Sequence, residues 1–288
     1  MQDKLEFIKS NNFDDISKPL AITYDNLFLE NENTRNLITT LETQNWDYSI
    51  IRISPVYRNH GDKIKGYLEF LKTLPGDKIV TLMDSRDVFC LRDSRHFIPI
   101  FKLFKYDIII SLEIWADTEL GVVTSRVNQC EPLVNYWNHH RVHSWPNRRY
   151  VNSGLIVGKV SELIKMFSFC EKNIELSAGS DDQTLVGIYM NEFPGEIYGD
   201  FEADILHTST FAKGGGSIKM KVQNYDSPKF GDLLGKGAFF LHFPSMRTKG
   251  QTLMYETTKK LLIDDEFNSY KINSLYGYTE DIFGSDSY

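Results

Sequence analysis

The chain has 288 residues, 41% of them hydrophobic and 13% aromatic, enough apolar material for a packed core and too much for a disordered protein. Its formal net charge of -7 excludes an overall basic field of the kind that holds nucleic acid. Three widely separated cysteines, Cys90, Cys130 and Cys170, form no CxxC pair and argue against a zinc ribbon and a disulfide framework, as suits a reducing compartment.

The first stretch, MQDKLEFIKSNNFDD, has no apolar core of a signal peptide, and no run approaches the roughly 18 apolar residues of a membrane span. The expectation is a cytoplasmic chain without a membrane segment. Residues 1–18 are polar and read as a lead-in to one domain over 19–262, followed by an acidic, aromatic tail over 263–288. That tail carries Phe267, Tyr270, Tyr276, Tyr278 and Phe283, which suits docking, with a homo-oligomer as one reading.

PLAITY, Pro19 to Tyr24, predicts a buried strand, followed by a helix with Leu37, Ile38 and Leu41 on one face. YSIIRI, Tyr48 to Ile53, is a second strand. Ile64, Tyr67, Leu68 and Leu71 then recur at helical spacing, which predicts a helix packed on a sheet. KIVTLM supplies the third strand, and a helix near Phe97 to Phe104 leads to a fourth, YDIIISLE, Tyr106 to Glu113. Alternation of this kind predicts an α/β fold with a mostly parallel central sheet flanked by helices, whose ligands bind beyond the carboxyl ends of the strands.

From Thr118 to Tyr150 there is no clear period, and Trp137, Trp145 and three histidines suggest an irregular, substrate-facing insertion. GLIVGK, Gly154 to Lys159, is a further strand, with Ser161 as the cap of the helix beginning ELIKMF. Another helix starts at Ser180. Two more strands are expected around Ile205 and at AFFLHF, Ala238 to Phe243.

Candidate chemistry begins where the third strand ends, in DSRDVF. Asp84 and Asp87 are three residues apart, so their carboxylates reach one point only if the chain turns there. Such a turn would offer hard oxygen ligands to Mg²⁺ or Mn²⁺, and the ion could hold a diphosphate. The plainer alternative is one acid capping a turn and the other in solvent. His242, in apolar FFLHF, is either a hydrogen-bonded core histidine or a third ligand that would favour Mn²⁺.

Asp181 and Asp182 precede Gln183, and Ser180 with Gln183 also fits a capping box, so a ligand-facing role and a structural one both stand. Asn152, Ser153 and Gly154 offer an amide for sugar hydroxyls and a glycine for close backbone approach. KGGGSIKMK, Lys213 to Lys221, lacks the pattern of a phosphate-binding loop and reads as a mobile connection.

In order, DSRDVF, EIWAD, RRYVNSGLIVG, DDQ and a late histidine in an apolar strand resemble the glycosyltransferase domain of the procollagen lysyl hydroxylases, over roughly Pro19 to Leu262. The resemblance implies a GT-A (Rossmann-like) fold in a single domain and a Mn²⁺-dependent, retaining transfer from a UDP-sugar. Mg²⁺ is the alternative ion. In that family glucose passes to galactosyl-hydroxylysine of collagen, so the implied donor here is UDP-glucose or UDP-galactose and the implied acceptor a collagen-like protein.

Residue by residue, the resemblance makes Asp84, Asp87 and His242 metal ligands and Asp181 and Asp182 the acids facing sugar and acceptor. Thr23 and Tyr24 would lie by the uridine, with Ser85 and Arg86 between the metal acids, and Lys63 matches a lysine opening the helix before the DxxD strand. Asn152 and Gly154 would border the nucleotide-sugar, and Trp115 would line the acceptor or sugar pocket. Two departures stand out. Arg86 replaces an aromatic residue that would stack on uracil, although a guanidinium also stacks. HFPSMRTKG replaces His-Gly-Asn-Gly and is closer to a glycogenin-like pattern, with Lys249 or Arg247 meeting the diphosphate.

The hydroxylase domains of the family are missing, so another protein would hydroxylate the acceptor. With no signal peptide, a microbial or viral chain acting on collagen-like protein in the cytoplasm, the host's if viral, fits best. Other readings stay open: a glycogenin-type or lipopolysaccharide-type transferase, a non-catalytic UDP-sugar-binding protein, and a metal phosphohydrolase, the last without a DxDxT motif.

Overall fold

Each central strand divides its side chains between two apolar layers. Leu20, Ile22, Val80, Leu82, Ile108, Ile110 and Ile156 enter one buried cluster, while their neighbours Ala21, Ile79, Met83, Ile109, Leu155 and Val157 enter the other. Near-continuous apolar runs are what a sheet covered on both faces requires, because successive side chains point to opposite sides. The computed structural model of the chain describes residues 5–9, 13–25, 31–53, 60–113, 136, 139, 150–176, 182–200, 203–208, 238–244 and 249–263.

Among the described residues the strands are β1 (Leu5–Lys9), β2 (Leu20–Tyr24), β3 (Asp47–Ile53), β4 (Ile79–Asp84), β5 (Val88–Cys90), β6 (Ile108–Glu113), β7 (Tyr150–Lys159), β8 (Ile197–Asp200), β9 (Leu206–Thr208) and β10 (Phe240–His242). The helices are α1 (Glu32–Thr43), α2 (His60–Leu71), α3 (Phe97–Phe101), α4 (Val160–Lys172), α5 (Asp182–Glu192) and α6 (Lys249–Ile263). A 7-stranded sheet runs β1-β3-β2-β4-β7-β6-β8, and a 3-stranded sheet runs β5-β10-β9. In the larger sheet β3, β2, β4, β6 and β8 point one way and β1 and β7 the other. The architecture is therefore α/β, a mostly parallel central sheet flanked by helices in a single domain.

From α2, Ile64, Tyr67, Leu68 and Leu71 pack into the first layer with Leu163 and Met166 of α4 and Leu185 of α5. From α1, Leu37 and Leu41 pack into the second with Trp46, Phe97 of α3 and Phe240 of β10. Burying a side chain such as Leu82 contributes about 1.5–3 kcal/mol, so these two layers dominate the fold's stability.

Chain order takes β2 to β3 on one side and β4 back to the other side of β2, which makes the carboxyl ends of β2 and β4 a topological switch point. Tyr24 and Asp84 are paired neighbours there. No helix among the described residues is long and apolar enough to cross a membrane.

The structure departs from the sequence expectations in several places. The lead-in contributes β1, whose Leu5 to Lys9 pairs antiparallel with β3, and Lys78 is buried with its ammonium donating to the carbonyls of Asp15 (2.7 Å) and Lys18 (3.1 Å). Ser161 does not cap α4. That helix starts directly at Val160, and the amides of Val160 and Ser161 donate to the carbonyls of Lys78 and Gly76, so the turn before β4 does the capping. The short strands β5 and β8 were not anticipated. Their 3 and 4 residues are too few for a period to register. The insertion Thr118 to Tyr150 (apart from 136, 139 and 150), the KGGG segment, the tail and Cys130 lie outside the described residues. Cys90 and Cys170 are buried free thiols.

Candidate metal centre

β4 delivers Asp84 to the switch point, the chain turns through Ser85 to Asp87, and β5 leads away. β10 then pairs antiparallel with β5, placing His242 opposite Val88, and the Phe243 amide donates to the Asp87 carbonyl at 2.8 Å. A strand late in the chain is thereby clamped beside the turn that carries both acids. Ligand atoms of Asp84, Asp87 and His242 all lie within 4.8 Å of one another.

His242 Nε2 is 3.3 Å from Asp87 Oδ1 and 3.6 Å from Asp84 Oδ2. An octahedral ion with bonds of about 2.1 Å sets adjacent ligands about 3 Å apart, so these spacings suit a cation between the three groups. Nε2 is also buried and makes no well-aligned hydrogen bond among the described residues, although two carboxylates are close. An imidazole nitrogen this close to two carboxylate oxygens could share a cation with them. Two hard oxygens with one neutral nitrogen match Mn²⁺ better than Mg²⁺. Burial alone would lower the imidazole's pKa, but the Asp87 and Asp84 charges outweigh it and hold the ring above the ordinary histidine value.

Gly154 explains how the groups come so close. A Cβ at that position would lie 2.2 Å from His242 Cε1 and 2.8 Å from Asp84 Oδ2. The sequence suggests close approach of a ligand at this glycine; what approaches it in the structure is the side chains of His242 and Asp84. It sits in a bulge: Ile110 pairs with Ile156 and Leu112 with Val151, so residues 152–155 of β7 oppose Ser111 alone. What reads in sequence as a loop before a strand is the bulged part of a longer strand.

Lys63, in the first turn of α2, lies between two of the predicted acids. Its Nζ is 2.6 Å from Asp84 Oδ1 and 2.9 Å from Asp182 Oδ2. Burial would depress its pKa, yet the charges of Asp182 and Asp84 keep it well above the usual lysine range and fully protonated. Asp84 therefore divides its oxygens, one on the ammonium and one toward His242. Asp182 opens α5 and is buried at 4% exposure, where the helix dipole also favours its charge.

The other predicted residues fall into four groups. Thr23 and Tyr24 are buried at the end of β2, with the Thr23 hydroxyl donating to the Met83 carbonyl at 2.9 Å, and Ser85 is buried in the turn. Arg86 is half-exposed, with Nη2 3.1 Å from the buried Asp25, whose other oxygen accepts from Thr34. Asn152 turns its amide to His242, Gly154 and Glu113. Asp181, Trp115, Arg247 and the side chain of Lys249, the first residue of α6, lie outside the described residues.

Sequence reasoning missed Glu113; the capping box of Ser180 with Gln183 involves Ser180, which lies outside the described residues. Glu113 is buried and accepts from Asn152 Nδ2 at 3.3 Å and from Gln183 Nε2 at 2.8 Å, so Gln183 reaches across to β6. The signal was present: an acid closing an otherwise apolar strand, the same signal that marked Asp84.

No protein-family model and no curated protein matches the chain. Among solved structures it is similar to a glycosyltransferase involved in the glycosylation of the major capsid of PBCV-1, with 11% identity and a TM-score of 0.48 over 84% of this chain and 99% of that one. At that distance the likeness assigns no role to any residue here.

Proposed function

We propose that this protein is a Mn²⁺-dependent glycosyltransferase of GT-A type that transfers glucose or galactose from a UDP-sugar, with retention, to hydroxylysine or galactosyl-hydroxylysine of a collagen-like protein. One observation carries the reading: Asp84, Asp87 and His242, from distant parts of the chain, converge at the switch point of an α/β sheet, with Lys63 joining them to Asp182. A bound divalent ion would supply Lewis-acid stabilisation of the charge that grows on the departing diphosphate. The collagen-like acceptor and the choice of sugar rest on the motif order described above.

The protein's own groups have separable tasks in this reading. Asp84, Asp87 and His242 would hold the ion. Lys63 bridges Asp84 and Asp182 and fixes their separation, so that the ends of β4 and α5 cannot drift apart. Asp182, with Asp181, faces the sugar or orients the acceptor hydroxyl. Arg86, held along one edge by Asp25 and half-exposed, presents its guanidinium plane for the base where an aromatic ring would otherwise stack. Lys249 or Arg247 would meet the diphosphate, and Trp115 the acceptor or sugar.

The test is release of UDP from UDP-glucose and UDP-galactose with Mn²⁺, with and without hydroxylysine and galactosyl-hydroxylysine peptides, reading product mass. Metal-dependent peptide glycosylation is the expected result. UDP binding without turnover on any acceptor would leave a binding protein, and cleavage of simple phosphate esters without a sugar acceptor would replace the proposal by a phosphohydrolase.

A further inference from the structure

Behind the His242 imidazole runs a buried chain of hydrogen bonds, through Asn152 to Glu113 and on to Gln183, in which Glu113 has no task from the sequence motifs or the proposed reaction. Gln183 Nε2 donates to Glu113 Oε1 at 2.8 Å, and Asn152 Nδ2 donates to Glu113 Oε2 at 3.3 Å. Asn152 Oδ1 accepts from the Gly154 amide at 3.0 Å and lies 2.9 Å from His242 Nδ1. Asn152 is 3% exposed, Glu113 6% and His242 1%.

Donor and acceptor parity leaves one assignment. A carboxylate only accepts, so Glu113 requires the amide nitrogen of Asn152 to face it, and the amide oxygen must then face Gly154 N–H and His242. An oxygen at hydrogen-bond distance from Nδ1 requires the proton on that nitrogen. Nε2 is thereby left with its lone pair pointing between Asp87 Oδ1 and Asp84 Oδ2. The β7 bulge is what turns Asn152 to this position, and the Ser111 hydroxyl pins it by donating to the Asn152 carbonyl at 3.0 Å.

We propose that Glu113 is a positioning residue which, acting through Asn152, holds His242 in its Nδ1–H tautomer with Nε2 directed at a divalent cation. The inference rests on the metal reading of Asp84, Asp87 and His242. The same carboxylate anchors Gln183 in the first turn of α5, next to Asp182, so one buried acid sets both the imidazole and the start of the helix that faces the sugar. Outer partners of this kind change metal affinity by about 10–100-fold without touching the metal.

Two measurements on the full chain test it. The first is ¹⁵N NMR of histidine-labelled, metal-free protein at alkaline pH, with the His242 signals identified by their absence from His242→Gln; an Nδ1–H ring is expected. The second is Mn²⁺ titration by EPR. Glu113→Met, which keeps length but cannot accept, should lose about 10–100-fold in affinity. Glu113→Gln should stay within a few-fold of wild type, because its oxygen still accepts from Asn152 while Gln183 turns its own amide. Glu113→Met combined with Asn152→Leu should bind no more weakly than Asn152→Leu alone, since the acid acts through the amide.

An Nε2–H ring in the wild type, undiminished affinity in Glu113→Met, or additive losses in the double variant would overturn the proposal. If Glu113→Met does not fold, the wild-type tautomer and the Glu113→Gln titration decide, and a loss in Glu113→Gln of the size expected for Glu113→Met overturns it. Wild-type protein that keeps the Nδ1–H ring yet binds no Mn²⁺ would instead overturn the metal reading, and with it the purpose of the relay.

Discussion

Two strands of the central sheet, β4 and β8, run in the same direction and both finish on an aspartate, but the two carboxylates meet opposite fates. Asp200 is fully buried at the edge of the sheet, where the chain folds straight back over it and the amides of Asp204, Ile205 and Leu206 donate to its oxygens at 2.8, 2.9 and 2.8 Å. Asp84 is half-exposed at the centre, where the chain turns away and leaves its oxygens to Lys63 and to the space in front of His242. An acid at the end of a buried strand is therefore not by itself a functional signal. What decides is whether the following backbone closes over the carboxylate or another element arrives to face it.

The comparison breaks most sharply at Asp87. Asp87→Ala should abolish metal-dependent sugar transfer, a loss on the order of 10³-fold if a held cation contributes several kcal/mol to the transition state. Melting of the metal-free protein should hardly change above the raised imidazole pKa, where the His242 ring is neutral, because the Phe243 amide bonds the Asp87 backbone carbonyl and not its side chain. UDP release in the presence and absence of EDTA is the measurement, and full metal-dependent turnover in the variant would remove Asp87 from the site.

Asp200 should show the opposite pattern. Asp200→Ala leaves three buried amides without their acceptor and should lower stability by about 3 kcal/mol, with Mn²⁺ affinity in the folded fraction unchanged. Burial, outweighing those hydrogen bonds, pushes the Asp200 carboxyl up to about 6 from 3.8. Between these values the native state binds more protons than the unfolded chain, so this group's contribution falls as pH rises from about 4 to about 6 and is constant above, a change of roughly 3 kcal/mol. Denaturant midpoints across that range should decline more steeply in the wild type than in Asp200→Ala.

At Gly154 the effect should be smaller and confined to the metal. A Cβ there must push aside His242 and Asp84, so Gly154→Ala should weaken Mn²⁺ binding by about 10–100-fold, as read by EPR titration. Wild-type affinity in that variant would mean the imidazole is not held where the bulge places it.

The smallest effect is a pH dependence at His242. A protonated ring cannot bind a metal, so Mn²⁺ affinity should rise with pH until the imidazole's raised pKa is passed. In the metal-free protein the sign is reversed: pairing of the charged ring with Asp87 and Asp84 is fully stabilising below the unfolded value of 6.5 and is lost as pH rises through the raised folded value. The Mn²⁺-induced gain in melting temperature should therefore grow as pH rises from the unfolded value of 6.5 through the raised folded one. A gain independent of pH would place the ring outside the coordination sphere.

Much of the fold was legible in the sequence because its cause is local. The apolar runs of β2, β4 and β6 and the helical spacing of Ile64, Tyr67, Leu68 and Leu71 state directly which faces must be buried. The same holds for Asp84 and Asp87, since a turn after a buried strand is readable from neighbouring residues. β5, β8 and the capping of α4 by the turn before β4 instead of by Ser161 were not legible, because those features depend on pairing and capping partners elsewhere in the chain.

By itself, then, the amino-acid order determined a two-layered α/β sheet and nominated acids and a histidine for a cation, since burial periodicity and turns are short-range physics. Only the tertiary structure decided that His242 meets Asn152 across 90 residues, that Lys63 joins Asp84 to Asp182, and that Glu113 stands behind the imidazole. Those outcomes follow from the antiparallel pairing of β10 with β5 and from a bulge in β7, contacts whose energy depends on residues that no local pattern brings together.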